Sequence, residues 1–203
     1  MNKKRFSLGP VSLFLAASGL CGCYAVPGKV SGGGWMPSAS GTPGQKAVFG
    51  FNGDSCDGQT TGHITYVDKN ANVPGLSGGI MMRSTQILEA KLCNGSTSGT
   101  FSGACSLCSS ALESVGVSVA PPATPPPMYA VLFDYASMNP AVETPTPAPE
   151  ALVCAIDNGQ GGTATGDDFV LIGAQPPFGS SSSGSILNFG YAEGNIKAHS
   201  CGQ

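Results

Sequence analysis

The stretch GHITYVD, residues 62–68, alternates without a break, placing Ile64 and Tyr66 on one face and His63, Thr65 and Val67 on the other. A two-residue period fits a half-buried strand and not a helical stripe. The same pattern, or a short apolar run between turn formers, recurs along the chain. KAVFGFN (46–52), SGGIMMRS (77–84), GTFSGACS (99–106), MYAVLFDYASM (128–138), SILNFGY (185–191) and GNIKAH (194–199) all read as strands. The aromatic and β-branched 128–138 run is the strongest of them. TQILEAKLC (85–93) also reads as a strand, although Leu88 to Leu92 are good helix formers. In LVCAIDNGQGGTATGDDFVLIG (152–173) two apolar arms flank a connector rich in Gly, Asn and Asp, which predicts a hairpin.

Short strands at this spacing predict an all-β fold, an antiparallel β-sandwich or barrel-like single domain. Three stretches break the rhythm: VAPPATPPP (119–127), ETPTPAP (143–149) and FGSSSSGS (178–185). They read as long Pro/Ser-rich loops, because proline removes ladder donors and Ser/Gly runs are flexible. Too little chain lies between them to build a second domain, so one domain is expected over residues 29–203.

Lys3, Lys4 and Arg5 precede the apolar run VSLFLAASGL (11–20), the layout of a secretory signal too short to stay as a membrane span. The following Leu20-Cys21-Gly22-Cys23 resembles the lipobox of bacterial lipoproteins, with a small residue directly before Cys23 and leucine three before it. Residues 1–22 are therefore expected to be a lipoprotein-type signal peptide, Cys23 the lipidated residue and 23–28 a short tether. Tyr24 stands where an aspartate would signal inner-membrane retention, so the resemblance implies the outer membrane or cell surface. The alternative is cleavage near Ala25 and a free secreted protein. The signal holds three of the nine basic residues and none of the twelve acidic ones, so six bases remain against twelve acids, a net charge of −6. That balance excludes a nucleic-acid partner and gives no electrostatic hold on anionic lipid.

With Cys21 removed and Cys23 lipidated, six cysteines remain: Cys56, Cys93, Cys105, Cys108, Cys154 and Cys201. An even number in an oxidising compartment predicts three disulfides, with fifteen pairings open. Cys105-Ser-Leu-Cys108 is a CxxC, but thioredoxin-like chemistry needs it at a helix N-terminus in an α/β fold, and zinc needs a second ligand pair. Neither context is present in the sequence.

Several phrases occur together in order: GGGW (32–35), VFGFN (48–52), GHITYVD (62–68), FSGAC (101–105), AIDNGQGG (155–162), DDFVLIG (167–173) and GNIKAH (194–199). Together they resemble the post-COAP domain, a small β module that follows choice-of-anchor segments in exported bacterial proteins. The resemblance spans most of the mature chain as short islands. It implies an extracytoplasmic all-β domain and carries no activity and no catalytic residue. The Pro-rich loops, the single glycine before Asn195-Ile196 and the extra cysteines depart from the pattern.

The candidates for chemistry are few. No G-x-S-x-G elbow occurs, and only His63 and His199 are available as bases. A glycosidase would need two facing carboxylates from among Asp134, Glu143, Glu150, Asp167 and Asp168. Calcium is the best chemical option, with Asp157, Asn158, Asp167 and Asp168 around one connector and Asp54 and Asp57 in another turn. The spacing fits neither an EF-hand nor a β-roll repeat, and Asp and Asn beside Gly are what a tight turn requires. Asn94-Gly95-Ser96 matches the N-glycosylation triplet, which a bacterial lipobox makes incidental. Trp35, beside three glycines, and Tyr129 and Tyr135, in phase with Phe133, are the aromatic candidates for a binding face, or else for the core. The functional expectation is a non-enzymatic envelope lipoprotein domain with a structural or interaction role. The alternative is a glycan- or protein-binding adhesion module.

Overall fold

A computed structural model describes residues 24–72, 78–94, 104–116, 128–140, 144, 148–158, 167–173 and 185–202. The strands are β1 (Tyr24–Pro37), β2 (Lys46–Asp54), β3 (Thr61–Asp68), β4 (Ile80–Asn94), β5 (Met128–Ser137), β6 (Glu150–Ile156), β7 (Asp167–Gly173) and β8 (Ser185–Ser200). One helix, α1 (Ala104–Ser114), interrupts the series between β4 and β5. Each strand pairs antiparallel with the next in sequence, and β8 returns to β1, from Gly28↔Ser200 to Trp35↔Glu193. Of the two expected architectures, the fold is therefore the closed barrel, and the expected hairpin of 152–173 is β6–β7, with Leu152↔Ile172 and Ala155↔Phe169 in register.

Alternation fills the barrel from the inside. Phe49 and Phe51 of β2, Ile64 and Tyr66 of β3, and Val131 and Phe133 of β5 are all buried in one interior cluster. Outward positions around the barrel include Lys29 of β1, Asn52 of β2, His63 of β3, Arg83 of β4 and Lys197 of β8, all exposed. Among the described residues no helix is long and apolar enough to cross a membrane. Closure depends on glycines: a Cβ on Gly32 would lie 2.7 Å from Phe51 Cε1 and 2.9 Å from Ile196 Cγ1, and one on Gly34 would strike the Glu193 carbonyl. The GGGW and GNI islands thus mark where β1 and β8 pass at close range.

The barrel is forked at one end. β3 leaves β4 beyond Thr65↔Arg83, and there the Ser84 hydroxyl accepts from the Ile64 N–H at 2.9 Å. Past that point β4 pairs with β1 instead, from Tyr24↔Asn94 to Pro27↔Lys91. Pro27 offers no N–H, so the β1–β4 ladder stops at it. Ser55, just beyond β2, closes the gap: Gly28 N donates to its Oγ at 3.1 Å, its Oγ donates to the Ala90 carbonyl at 2.6 Å, and its N–H donates to the Gly28 carbonyl at 3.1 Å. The stretch expected as a tether, 23–28, is therefore corrected: from Tyr24 onward it is strand, paired on β4 and β8. Residues 1–22 and Cys23 lie outside the described residues.

The other end is sealed by a polar group. Asp68 is wholly buried and accepts from Ser38 Oγ (2.6 Å), Ala39 N (2.8 Å) and Asn70 N (3.2 Å). Asn188 beside it donates to Tyr66 Oη (2.7 Å) and to the Pro37 carbonyl (3.0 Å).

Helix α1 packs on the outside of β4, β5 and β6, burying Cys105, Cys108 and Leu112 against Met128, Ala130, Leu152 and Ile156. Here one expectation is reversed: Ala104–Ser106, the described part of the expected strand GTFSGACS, is helical, whereas TQILEAKLC is strand as expected, despite its helix-forming residues. Gly116, at φ +82°, follows the helix, whose last turn closes with Gly116 N donating to Glu113 O.

Candidate functional site

All six candidate cysteines are bonded: Cys56–Cys201, Cys93–Cys105 and Cys108–Cys154. The CxxC does open a helix, yet its two sulfurs point to different strands, β4 and β6, and pin α1 to the barrel wall. A dithiol that exchanges electrons needs its two sulfurs to bond each other, and these do not. Three disulfides place the domain in an oxidising, extracellular environment.

Among the described residues neither histidine forms an ion pair with a carboxylate. His63 is exposed on β3, bonded through Nε2 to Thr65 Oγ1 at 2.8 Å and lying 3.5 Å from Ser84 Oγ through Nδ1. That serine is already engaged by the Ile64 N–H at the fork. His199 is exposed on β8, where its main-chain carbonyl accepts from Tyr129 Oη. Of the carboxylates, Asp134 and Glu150 stand directly opposite each other on β5 and β6. They are cross-strand neighbours on one sheet face. Glu143 lies outside the described residues. Asp157, the first calcium candidate, accepts from the Ala198 N–H at 3.2 Å and so ties the end of β6 to β8. Asp167 and Asp168 pair with Ala192 and Tyr191 through their backbones, and their side chains lie outside the description. Among the described residues no group of three His, Cys, Asp or Glu side chains converges to hold a metal.

Two of the three aromatic binding candidates belong to the core. Tyr129 and Tyr135 are 0% and 2% exposed, in phase with Val131 and Phe133 inside the barrel, so that face is corrected from surface to interior. Burial pushes the Tyr129 phenol up to about 12, against the bond to the His199 carbonyl, and burial likewise raises Tyr66 and Tyr135 above the ordinary phenol range. Trp35 is different. It points outward from β1, half-buried, in a cross-strand row with Glu193 of β8 and Val48 of β2.

Around Trp35 the exterior changes character. Val48, Phe189 and Tyr191 are 56%, 50% and 65% exposed, on β2 and β8, the strands that flank β1. In ring order β1 lies opposite β5, so at the Trp35 end, away from the β1–β4 pairing, this wall lies across the barrel from the one that α1 covers. Sequence reasoning missed Phe189 and Tyr191. The signal was their phase: both share an alternation with Glu193 and Lys197, opposite to Ala192 and Ile196, which marks them as outward. Beside Trp35, the β1–β2 loop forms a cleft of about 340 Å3, lined by Trp35, Pro37, Thr42, Pro43, Gln45 and Lys46 among others. The Lys46 ammonium lies 3.2 Å from the indole centroid. The chain's other paired lysines have acids: Lys29 meets Asp54 at 2.8 Å, which raises the lysine and lowers the aspartate, and Lys91 meets Glu89 at 3.4 Å.

These features define a class: a disulfide-locked, eight-stranded antiparallel meander barrel with an apolar interior, one armoured wall and one bare wall. No family model, curated protein or solved structure matches the chain.

Proposed function

We propose that this chain is an exported, lipid-anchored, non-enzymatic envelope domain that binds through the outer wall of β8, β1 and β2. The asymmetry of the exterior carries the reading. One wall is covered by α1 and two disulfides, while Val48, Phe189 and Tyr191 stand exposed together on the opposite one. Single exposed apolar side chains are ordinary on a soluble protein, whereas aromatic ones gathered on one wall mark an interaction surface. The islands that resemble the post-COAP domain fall on β1, β2, β3, the start of α1, β6, β7 and β8, and that likeness also favours an exported module. The outer membrane or cell surface is the location this reading assigns, with Cys23 as the anchor.

The test uses the Cys23→Ser chain, exported without lipid, incubated with envelopes of the producing cells. It should sediment with them. A variant carrying Val48→Ser, Phe189→Ser and Tyr191→Ser should stay in the supernatant, with its thermal midpoint within about 3 °C of the parent. Equal sedimentation of the two chains, or of neither, overturns the reading.

A further inference from the structure

We propose that the Trp35 cleft is a subsite for one carboxylated sugar residue of an extracellular glycan. The inference rests on the reading of the domain as an envelope-binding module and names the ligand of its wall.

The cleft is built before any ligand arrives. Ser38 N donates to Gln45 O (2.9 Å), Gly41 N to Ser38 O (3.2 Å) and Gln45 N to Thr42 O (3.2 Å), so the loop is cross-bonded through its backbone. Ser40 adds Oγ–Gln45 Oε1 at 2.7 Å and accepts from Thr42 N at 3.1 Å. The buried Asp68 holds the loop's first residues through Ser38 Oγ and Ala39 N. A loop fixed in this way binds without a further ordering cost.

Its size and chemistry select the occupant. At about 340 Å3 the cleft lies at the lower limit of ligand sites, room for one ring rather than for a nucleotide or a folded peptide. The indole and two prolines give an apolar floor for the C–H face of a pyranose, and Thr42 and Gln45 stand beside it for its hydroxyls. Lys46 supplies one positive charge, and among the described residues no carboxylate takes it; its partner is the Trp35 ring. An arriving carboxylate offers the Lys46 ammonium a charge-assisted hydrogen bond in place of its exposed cation–π contact, and as the ammonium turns toward it the ring face opens to the sugar. Glu193, in register with Trp35 on the β8 side, repels an anion there and leaves the Lys46 side as its place. The mature chain is otherwise acidic, so the attraction is local and suited to a single carboxylate.

Trp35 is the only tryptophan in the chain, so its emission reports on this cleft alone. The oxidised mature chain is titrated with a β-linked glucuronic acid tetrasaccharide, the matching neutral glucose tetrasaccharide and a short polyglutamate peptide. Saturable emission change is expected with the first and not with the other two. Lys46→Met should weaken that binding about tenfold or more at unchanged thermal midpoint, since it removes a hydrogen bond to a charged group. Phe189→Ser and Tyr191→Ser should leave it unaltered. No saturable change with the glucuronate, or equal binding of the neutral sugar, overturns the proposal. Equal binding of polyglutamate overturns the sugar and assigns an acidic peptide. Envelope sedimentation of the same chains separates the levels: retention without glucuronate binding removes only this subsite, and loss of both removes the binding module itself.

Discussion

Ser55 is the residue on which the forked barrel depends, and Ser55→Ala is the sharpest test of that geometry. The hydroxyl takes the Gly28 N–H and serves the Ala90 carbonyl, at 3.1 Å and 2.6 Å, where β1 passes from β2 to β4. Alanine keeps the main-chain bond from residue 55 to Gly28 O and removes both side-chain bonds. Neither orphan can find a ladder partner, because the β1–β4 register ends at Pro27. Ser55 is 9% exposed, so water replaces the hydroxyl poorly. Each buried group left without its partner costs about 1–3 kcal/mol, so the loss is about 2–6 kcal/mol. For a domain of this size that corresponds to a fall of roughly 4–24 °C in thermal midpoint. The assay is urea and thermal denaturation of the oxidised chain, with Ser110→Ala on the exposed side of α1 as the control. A loss below about 1 kcal/mol, within the range of ordinary surface substitutions, would refute the idea that Ser55 seals the fork.

Three other outcomes are expected. Under mild reductant the Cys56–Cys201 bond, whose second cysteine is exposed, should open first, whereas Cys93–Cys105 and Cys108–Cys154, all at most 5% exposed, should persist until unfolding; peptide mapping of partly reduced chain gives the order. Stability should be level up to about pH 10 and then decline, because Tyr129 ionises near 10 when unfolded and only at about 12 when folded, so the unfolded state holds fewer protons in that window. Each of the three buried phenols steepens the decline by up to about 1.4 kcal/mol per pH unit, and phenolate absorbance should appear together with unfolding rather than before it. Mass spectrometry of the mature N-terminus should find an acylated Cys23; a lipid-free terminus beginning elsewhere rejects the anchor.

Much of this barrel is legible because alternation survives wherever pairing is regular. GHITYVD gives β3 almost to the residue, with Ile64 and Tyr66 inward, and β5 is found over 128–138 against the observed Met128–Ser137. β4 was read as two segments, because register shifts at Ser84/Gln86 and Ile87/Glu89 change the phase of its alternation. Those shifts leave the buried Ile87 and Ala90 three residues apart, a spacing that imitates a helix. The true helix escaped for the converse reason. ACSLCSSALES dilutes its Ala, Leu and Glu with weaker-forming Cys and Ser, and its stripe emerges only if cysteine counts as apolar: Ala104, Cys105, Cys108, Ser109, Ala111 and Leu112 are the buried positions. Tertiary disulfides hold it, and pairing is not readable from one chain. The site was half legible. Trp35 was singled out, but Lys46 and the loop that faces it become a cleft only when β1 and β2 close, and Tyr129 could be told from Tyr191 only by phase against charged neighbours.

The strand that begins at Tyr24 also constrains how a lipid on Cys23 presents this domain. A lipid on Cys23, as proposed, would leave no slack between anchor and barrel and would set the end bearing Tyr24, the fork and the Cys56–Cys201 bond against the membrane. From Tyr24 to Trp35 is eleven residues, about 36 Å along the strand at about 3.3 Å each. A barrel-strand tilt of about 35–45° brings that to a height of about 25–30 Å. The cleft therefore opens at the distal end, and the wall carrying Phe189, Tyr191 and Val48 rises beside it. This geometry makes sense of the uneven armour. α1 and its disulfides cover the apolar exterior of β4–β6, while under the proposed anchor the other wall would stand clear of the bilayer, with its aromatics open to the proposed glycan.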